Sequence, residues 1–191
     1  MKRTRRYVAP MGASALLTAD DLARIRPAEK RTELVRGRMV VREPAGFRHG
    51  DVAMAIALAI GHFLRTHASG RLLAAETGFV LSTNPDTVRA PDVAFVRNER
   101  IPDPLPRGYA RFAPDLVVEV LSPDDRPGEV LEKVADWLSA GTRLVWVIDP
   151  ERRTGRVHRP DGTVMQLNEL DALDGEDVLP GFSYRLADVL G

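Results

Sequence analysis

Cysteine is absent from the 191-residue chain. A disulfide scaffold, a thiolate zinc site and a cysteine nucleophile are therefore excluded, and the composition suits a reducing cytoplasm, which is the expected location. Lysine is nearly absent as well: Lys2, Lys30 and Lys133 are the only lysines among 27 basic residues, the rest being arginine. A lysine within the body of such a chain is less readily surface filler. Net charge is also missing, because 27 acidic residues balance the 27 basic ones. No global basic field marks an anionic partner, so any site for one has to be local. No stretch approaches 18 uninterrupted apolar residues, and hence no membrane span is expected. The first ten residues are basic without an apolar core, unlike a signal peptide. Internal repeats, low-complexity tracts, a glycine-rich triphosphate loop, a serine-nucleophile motif and a zinc signature are likewise missing.

What remains is 44% apolar and 28% charged residues, the balance of an ordinary globular domain with a real core. Residues 1–14, with Lys2, Arg3, Arg5 and Arg6, are expected to form a flexible basic arm, and 15–191 a single domain. Thr18 followed by Asp21 is a helix start, and Pro27 ends that helix. Thr32 to Glu43 predicts a hairpin turned at Arg36-Gly37-Arg38. Val52, Ile56, Ala59, Ile60 and Phe63 share a helical face, so Asp51 to Leu64 is the strongest helix, with His49 and Gly50 at or just before its start. Arg71–Leu81 and Val88–Val96 are predicted strands around Asn84-Pro85-Asp86. A proline-rich loop follows. Gly128–Ala140 predicts a helix burying Val130, Leu131, Val134, Trp137 and Leu138, capped by Gly141. The strand 143–148, a hairpin over 155–167 and a turn near 186–190 complete the chain. Strand, helix, strand at this spacing is a βαβ unit, so 114–121 and 143–148 are expected to lie parallel.

One residue conflicts with its surroundings. The run Ala113-Pro-Asp-Leu-Val-Val-Glu-Val-Leu121 suits a strand buried on both faces, yet it contains Glu119. An isolated carboxylate there costs several kcal/mol unless it is paired, protonated or bound to a metal. Asp92 lies in a second apolar run, and Glu33 near the start of the first hairpin. Carboxylates on adjacent apolar strands repel unless a cation lies between them, and Mg²⁺ is the oxygen-seeking ion that suits such a set. Lys133 flanks the buried stripe of its helix, so its stem can lie on apolar side chains while the ammonium reaches the strand ends. His49 reads as a helix-cap or supporting group. His62, His67 and His158 read as surface residues, Asp115 as a turn residue at the strand entrance, and Asp124-Asp125 as a solvated turn capping the next helix.

Pro91-Asp92, then Glu119, then a lysine resembles the PD-(D/E)XK nuclease superfamily. More closely, the chain resembles the Uma-two family of restriction-endonuclease-like proteins. The matching pieces are Glu33-Leu-Val-Arg-Gly37, His49, Arg89-Ala-Pro-Asp-Val93, Pro114-Asp-Leu-Val-Val-Glu-Val-Leu-Ser-Pro123, Lys133, and Gly141 followed by Trp146-Val-Ile-Asp-Pro150. They cover most of residues 30–150. The resemblance implies an α/β fold with a restriction-endonuclease-like mixed central sheet flanked by helices. It implies Mg²⁺-dependent (or Mn²⁺-dependent) hydrolysis of DNA phosphodiesters, with the metal on Asp92, Glu119 and the backbone carbonyl of Val120. Glu33 would bind a second metal or orient water, and His49 would line the site. The superfamily's lysine, two residues after the glutamate, is replaced by Leu121, and the resemblance implies that Lys133 supplies the amine instead. A homodimer would suit the cutting of two strands. Two other readings stay open: a catalytically silent nucleic-acid-binding or regulatory module of the same fold, and a hydrolase of another phosphodiester. Neutral net charge leans toward these rivals, because duplex binding usually needs a basic face.

Overall fold

Five of the seven residues from Asp115 to Leu121 are apolar and fall on both faces of the strand, and all five residues of Leu116–Val120 are buried. The computed structural model describes residues 16–25 and 31–191. The basic arm 1–14 and the stop at Pro27 lie outside the described residues. In chain order the elements are α1 (Ala19–Ile25), β1 (Arg31–Val35), β2 (Arg38–Arg42), α2 (Phe47–Leu64), β3 (Gly70–Ala74), β4 (Phe79–Ser82), β5 (Thr87–Arg89), β6 (Val93–Arg97), β7 (Leu116–Val120), α3 (Pro127–Ser139), β8 (Leu144–Asp149), β9 (Thr154–His158), β10 (Val164–Asn168), β11 (Ala172–Asp174), β12 (Ser183–Arg185) and α4 (Leu186–Leu190).

A mixed six-stranded sheet runs in the order β10-β9-β8-β7-β6-β3. Within it β7 and β8 are parallel, joined through α3, and the other pairs are antiparallel. One face packs α2 through Val52, Ile56 and Ile60. The other packs α3 through Val130, Val134 and Trp137. Because β-strand side chains alternate, Leu116, Val118 and Val120 belong to the α2 face, while Val117 and Glu119 point at α3. A second sheet, β2-β1-β5-β4, stands beside the first and closes a smaller core of Leu22, Leu34, Val80 and Val88. Thr18 and Asp21 start α1 with a reciprocal cap: Asp21 N–H donates to Thr18 Oγ1 at 3.1 Å, and Thr18 N–H to Asp21 Oδ2 at 3.0 Å.

Several expectations are corrected. The strands expected over 71–81 and 88–96 are each two strands, divided between the two sheets. Glu76 takes a left-handed φ of 70°, and Gly78 passes so close to the Tyr109 ring that a Cβ there would overlap it. Pro91 has no N–H to continue a ladder, so β5 ends and β6 begins around it. The helix α2 begins at Phe47, which places His49 inside its first turn. Leu131 is 53% exposed, because the sheet covers only the narrow stripe of Val130, Val134 and Trp137. His158 is buried within β9 rather than on the surface. Asp115 is fully buried at the entrance of β7, where it accepts from Arg97 N–H and from Arg100, both at 2.9 Å. Asp125 closes its own turn by accepting from Ser122 N–H at 2.8 Å, and the α3 N-cap, Arg126, makes no side-chain cap bond. The C-terminal segment is more than a turn: Leu173, Val178, Leu179, Phe182, Leu186, Val189 and Leu190 are all buried in the α2-side core.

Candidate active site

Strand register brings the first two carboxylates together. Val93 lies opposite Val118 in the antiparallel pair of β6 and β7, and one further step sets Asp92 opposite Glu119. Asp92 N–H donates to the Val118 carbonyl at 3.2 Å, and Val120 N–H donates to Asp92 Oδ2 at 2.8 Å. The pair is therefore held by backbone bonds on both sides. From the α2 face, His49 Nε2 reaches Asp92 Oδ2 at 3.1 Å. From the α3 face, Lys133 Nζ donates to Glu119 Oε2 at 2.6 Å, and Trp137 Nε1 to Glu119 Oε1 at 2.9 Å. Lys133 and Trp137 are one helical turn apart, so one face of α3 clamps both oxygens. Glu33 on β1 completes the group, with its Oε1 3.7 Å from Lys133 Nζ. The structure thus gathers Asp92, Glu119, Lys133, Glu33 and His49, together with Val120, around one cavity of about 940 Å³. Leu121, at the superfamily's usual lysine position, lines the same cavity.

Sequence reasoning missed the arginines. Arg89 is only 3% exposed, and it donates to Glu33 Oε2 at 3.0 Å and to Asp136 Oδ2 through both Nε and Nη2. Arg42 lies 3.5 Å from Glu33 and 3.6 Å from Glu129, and Arg31 lies 3.3 Å from Asp92. Arg89 could have been found by the argument that found Glu119: a charge inside the mainly apolar run Val88–Val96 requires a buried partner. Arg31 and Arg42 sit in a half-buried hairpin and carry no comparable signal.

These pairings divide the acids. Burial alone would raise Glu33, but Lys133, Arg89 and Arg42 outweigh it and hold its carboxyl down at about 2. Burial would also raise Asp92, and the hydrogen bond from His49 with the charges of Lys133 and His49 brings it below its ordinary value. Glu119 goes the other way: burial raises it, and despite Lys133 the neighbouring Asp92 and Glu33 keep it up. For Lys133, burial would lower the amine, but Glu119, Glu33 and Asp92 prevail and keep it protonated at neutral pH. In that state it donates hydrogen bonds and supplies positive charge to the acids around it.

The sign of the Glu33 shift gives a stability test. A carboxyl depressed from 4.5 to about 2 stabilises the fold fully above pH 4.5, and that contribution is lost as pH falls toward 2. Glu33→Gln is expected to cost about 3 kcal/mol at neutral pH, given about 1.4 kcal/mol per pKa unit. Urea melts should show this gap narrowing between pH 4.5 and 2; a gap that is constant with pH would contradict the assignment.

Among the described residues, no three His, Asp or Glu side chains form a ready-made cation cage. Mg²⁺ seldom uses one: it is commonly held by one or two carboxylates, with water and substrate phosphate completing its shell. Asp92, Glu119 and a backbone carbonyl fit that chemistry. Each carboxylate oxygen has two lone pairs, so a cation can share it with a present donor. Burial is the largest cause that raises Glu119, and the repulsion from Asp92 and Glu33 that adds to it is what a cation would relieve. The cavity as a whole is acidic: eight of its lining residues are Asp or Glu, against three Arg or Lys. Glu43, Glu76, Asp124, Asp125 and Glu129 carry that charge to its outer parts.

Residues 19–188 match the model of the Uma2 family, described as "Putative restriction endonuclease". The match runs well beyond the 30–150 region that carried the sequence resemblance, and takes in the C-terminal hairpin and most of α4. Among solved structures, the chain is similar to the crystal structure of a putative nuclease belonging to DUF820 from Anabaena variabilis ATCC 29413. The TM-score is 0.79 and the identity 23%, over 91% of this chain and 97% of that one. At that identity the likeness shows the fold. No curated protein matches.

Proposed function

The chain belongs to the Uma2 family, and from that membership we propose that it is a divalent-cation-dependent endonuclease whose site is Asp92, Glu119 and Lys133. The observation that carries this reading is the cross-strand pair of carboxylates beside a buried ammonium, all opening on one cavity. Asp92, Glu119 and the Val120 carbonyl would hold Mg²⁺ or Mn²⁺. When bound, the cation supplies charge neutralisation at phosphorus and water of lowered pKa.

The chain's own residues do the rest. Lys133 Nζ, which donates to Glu119 at 2.6 Å, is placed to hold the attacking water or a nonbridging phosphate oxygen and to offset the negative charge that develops there. The proton of the attacking water is lost to solvent. Hydrolysis forms one P–O bond to water oxygen and breaks one P–O bond to the sugar, leaving a phosphate monoester and a hydroxyl end. His49 steadies the Asp92 carboxylate, and Glu33, held by Arg89, keeps Lys133 in place with Glu119. By family the scissile group is a DNA phosphodiester; a homodimer with two such sites would cut both strands.

A second reading has its own support. Phosphates of a duplex are repelled by a cavity with so many carboxylates, and each carboxylate of the site already has a basic partner. A catalytically silent member of the family would look the same. Incubation of supercoiled and single-stranded circular DNA with the protein in Mg²⁺, and again in EDTA, separates the two. Nicking in Mg²⁺ that disappears in EDTA supports the nuclease. Binding of DNA with no nicking in Mg²⁺ supports the silent module.

A further inference from the structure

The cavity wall contains a pair of like charges that the site's resting arrangement does not fully use. Arg31 and Arg42 are directly opposite in the antiparallel pair of β1 and β2, so their side chains leave the same face of the hairpin. Like charges placed directly across two strands destabilise the pair unless anions separate them. Arg42 has two such anions, Glu33 at 3.5 Å and Glu129 at 3.6 Å. Arg89, further in, also has two, Glu33 and Asp136. Among the described residues Arg31 is paired with a single carboxylate, Asp92, at 3.3 Å. That carboxylate is the one the proposed function assigns to the metal.

A divalent cation on Asp92 repels a guanidinium 3.3 Å from that carboxylate and draws off the negative charge that holds it there. Arg31 is at the first position of β1, its side chain is 22% exposed, and it lines the cavity, so it has room to swing off. Once released it is a cation on an acidic wall, opposite Arg42, with no anion of its own. A guanidinium in that position recognises planar pairs of oxygens, and phosphate presents them. We propose that Arg31 is the substrate-phosphate ligand of this site: it rests on Asp92, and when a cation takes Asp92 it turns to the nonbridging oxygens of the scissile phosphate. The inference rests on the metal-site reading above. It also accounts for how an acidic cavity accepts a polyanion: the metal first adds two positive charges and then frees a third.

The consequence has opposite signs for two measurements. Arg31→Gln removes a competitor for Asp92, so calorimetric titration is expected to show Mn²⁺ bound several-fold more tightly than by the wild type. The same variant loses a phosphate ligand. Nicking at saturating Mn²⁺ is expected to fall by about 10²-fold, the usual loss for one charge-stabilising donor. Fluorescence anisotropy of a short labelled oligonucleotide in Ca²⁺ reads the phosphate contact without cleavage, and there the variant should bind at least tenfold more weakly. Arg31→Lys should recover part of both losses, and Arg38→Gln, an exposed residue at the turn end of the same hairpin and outside the cavity lining, should change none of the three readings. Circular dichroism melts check that each variant folds. Metal affinity lost together with nicking would overturn the proposal, since Arg31 would then only be supporting Asp92. Nicking and oligonucleotide binding at wild-type levels would overturn it as well. A wild type that binds metal and oligonucleotide without nicking removes the nuclease reading, while the two binding measurements still decide the role of Arg31.

Discussion

A Lys133→Met protein is expected to bind a divalent cation and yet nick DNA about 10²–10³-fold more slowly than the wild type, the range for losing one preorganised charge-stabilising donor. The substitution keeps an unbranched stem along α3 and removes only the ammonium that donates to Glu119 at 2.6 Å. Trp137 still holds the other oxygen of Glu119, so that side chain should stay in place. The pH dependence of metal binding distinguishes this from a structural defect. Lys133 is what lowers a Glu119 carboxyl that burial, Asp92 and Glu33 push up. Without it Glu119 is protonated at higher pH. Metal binding should then be as tight as in the wild type in mildly alkaline buffer, and weaken sooner as the buffer is acidified. Titrations at several pH values check this. Equal weakening at every pH would indicate that the site had collapsed instead.

The second large effect belongs to Asp92. Asp92→Asn is expected to abolish detectable metal binding and to reduce nicking to background, while costing the fold less stability than Asp92→Ala does. Asparagine keeps an oxygen for the Val120 N–H bond that ties β6 to β7. It loses the charge that a cation requires, and both Arg31 and His49 lose an anionic partner. Asp92→Ala goes further and leaves the Val120 N–H buried without an acceptor, which costs about 1–3 kcal/mol. The two variants should therefore be equally inactive and unequal in stability. If the asparagine protein were as unstable as the alanine protein, the loss of activity could be ascribed to the fold, and the metal assignment would lose its support.

The central part of this site was legible because a single strand told against itself. A carboxylate in Leu-Val-Val-Glu-Val requires compensation, and the partners lie close in sequence terms: Lys133 and Trp137 are one βα connection away. The parallel pairing of β7 and β8 followed from the same connection length. What could not be read was set by contacts between distant segments. Arg31 meets Asp92 across 61 residues, and Arg42 on the paired strand meets Glu129 on α3. Hairpin residues of alternating character carry no trace of such partners. The two sheets were missed although Gly78 and Pro91 interrupt 71–81 and 88–96, because which sheet each half joins is set by pairing with distant strands. The burial of His158 follows from β9 lying between β8 and β10, with the C-terminal hairpin and α4 adding to that side of the core.

The account turns on one cation shared by Asp92 and Glu119. Anomalous diffraction from a crystal grown with Mn²⁺ tests it most directly. The expected result is a peak bonded to one oxygen of each carboxylate and to the Val120 carbonyl, with the Arg31 guanidinium displaced from Asp92 toward the cavity. A crystal saturated with Mn²⁺ that shows no peak there, or a peak only among the outer acids around Asp124 and Asp125, would contradict it.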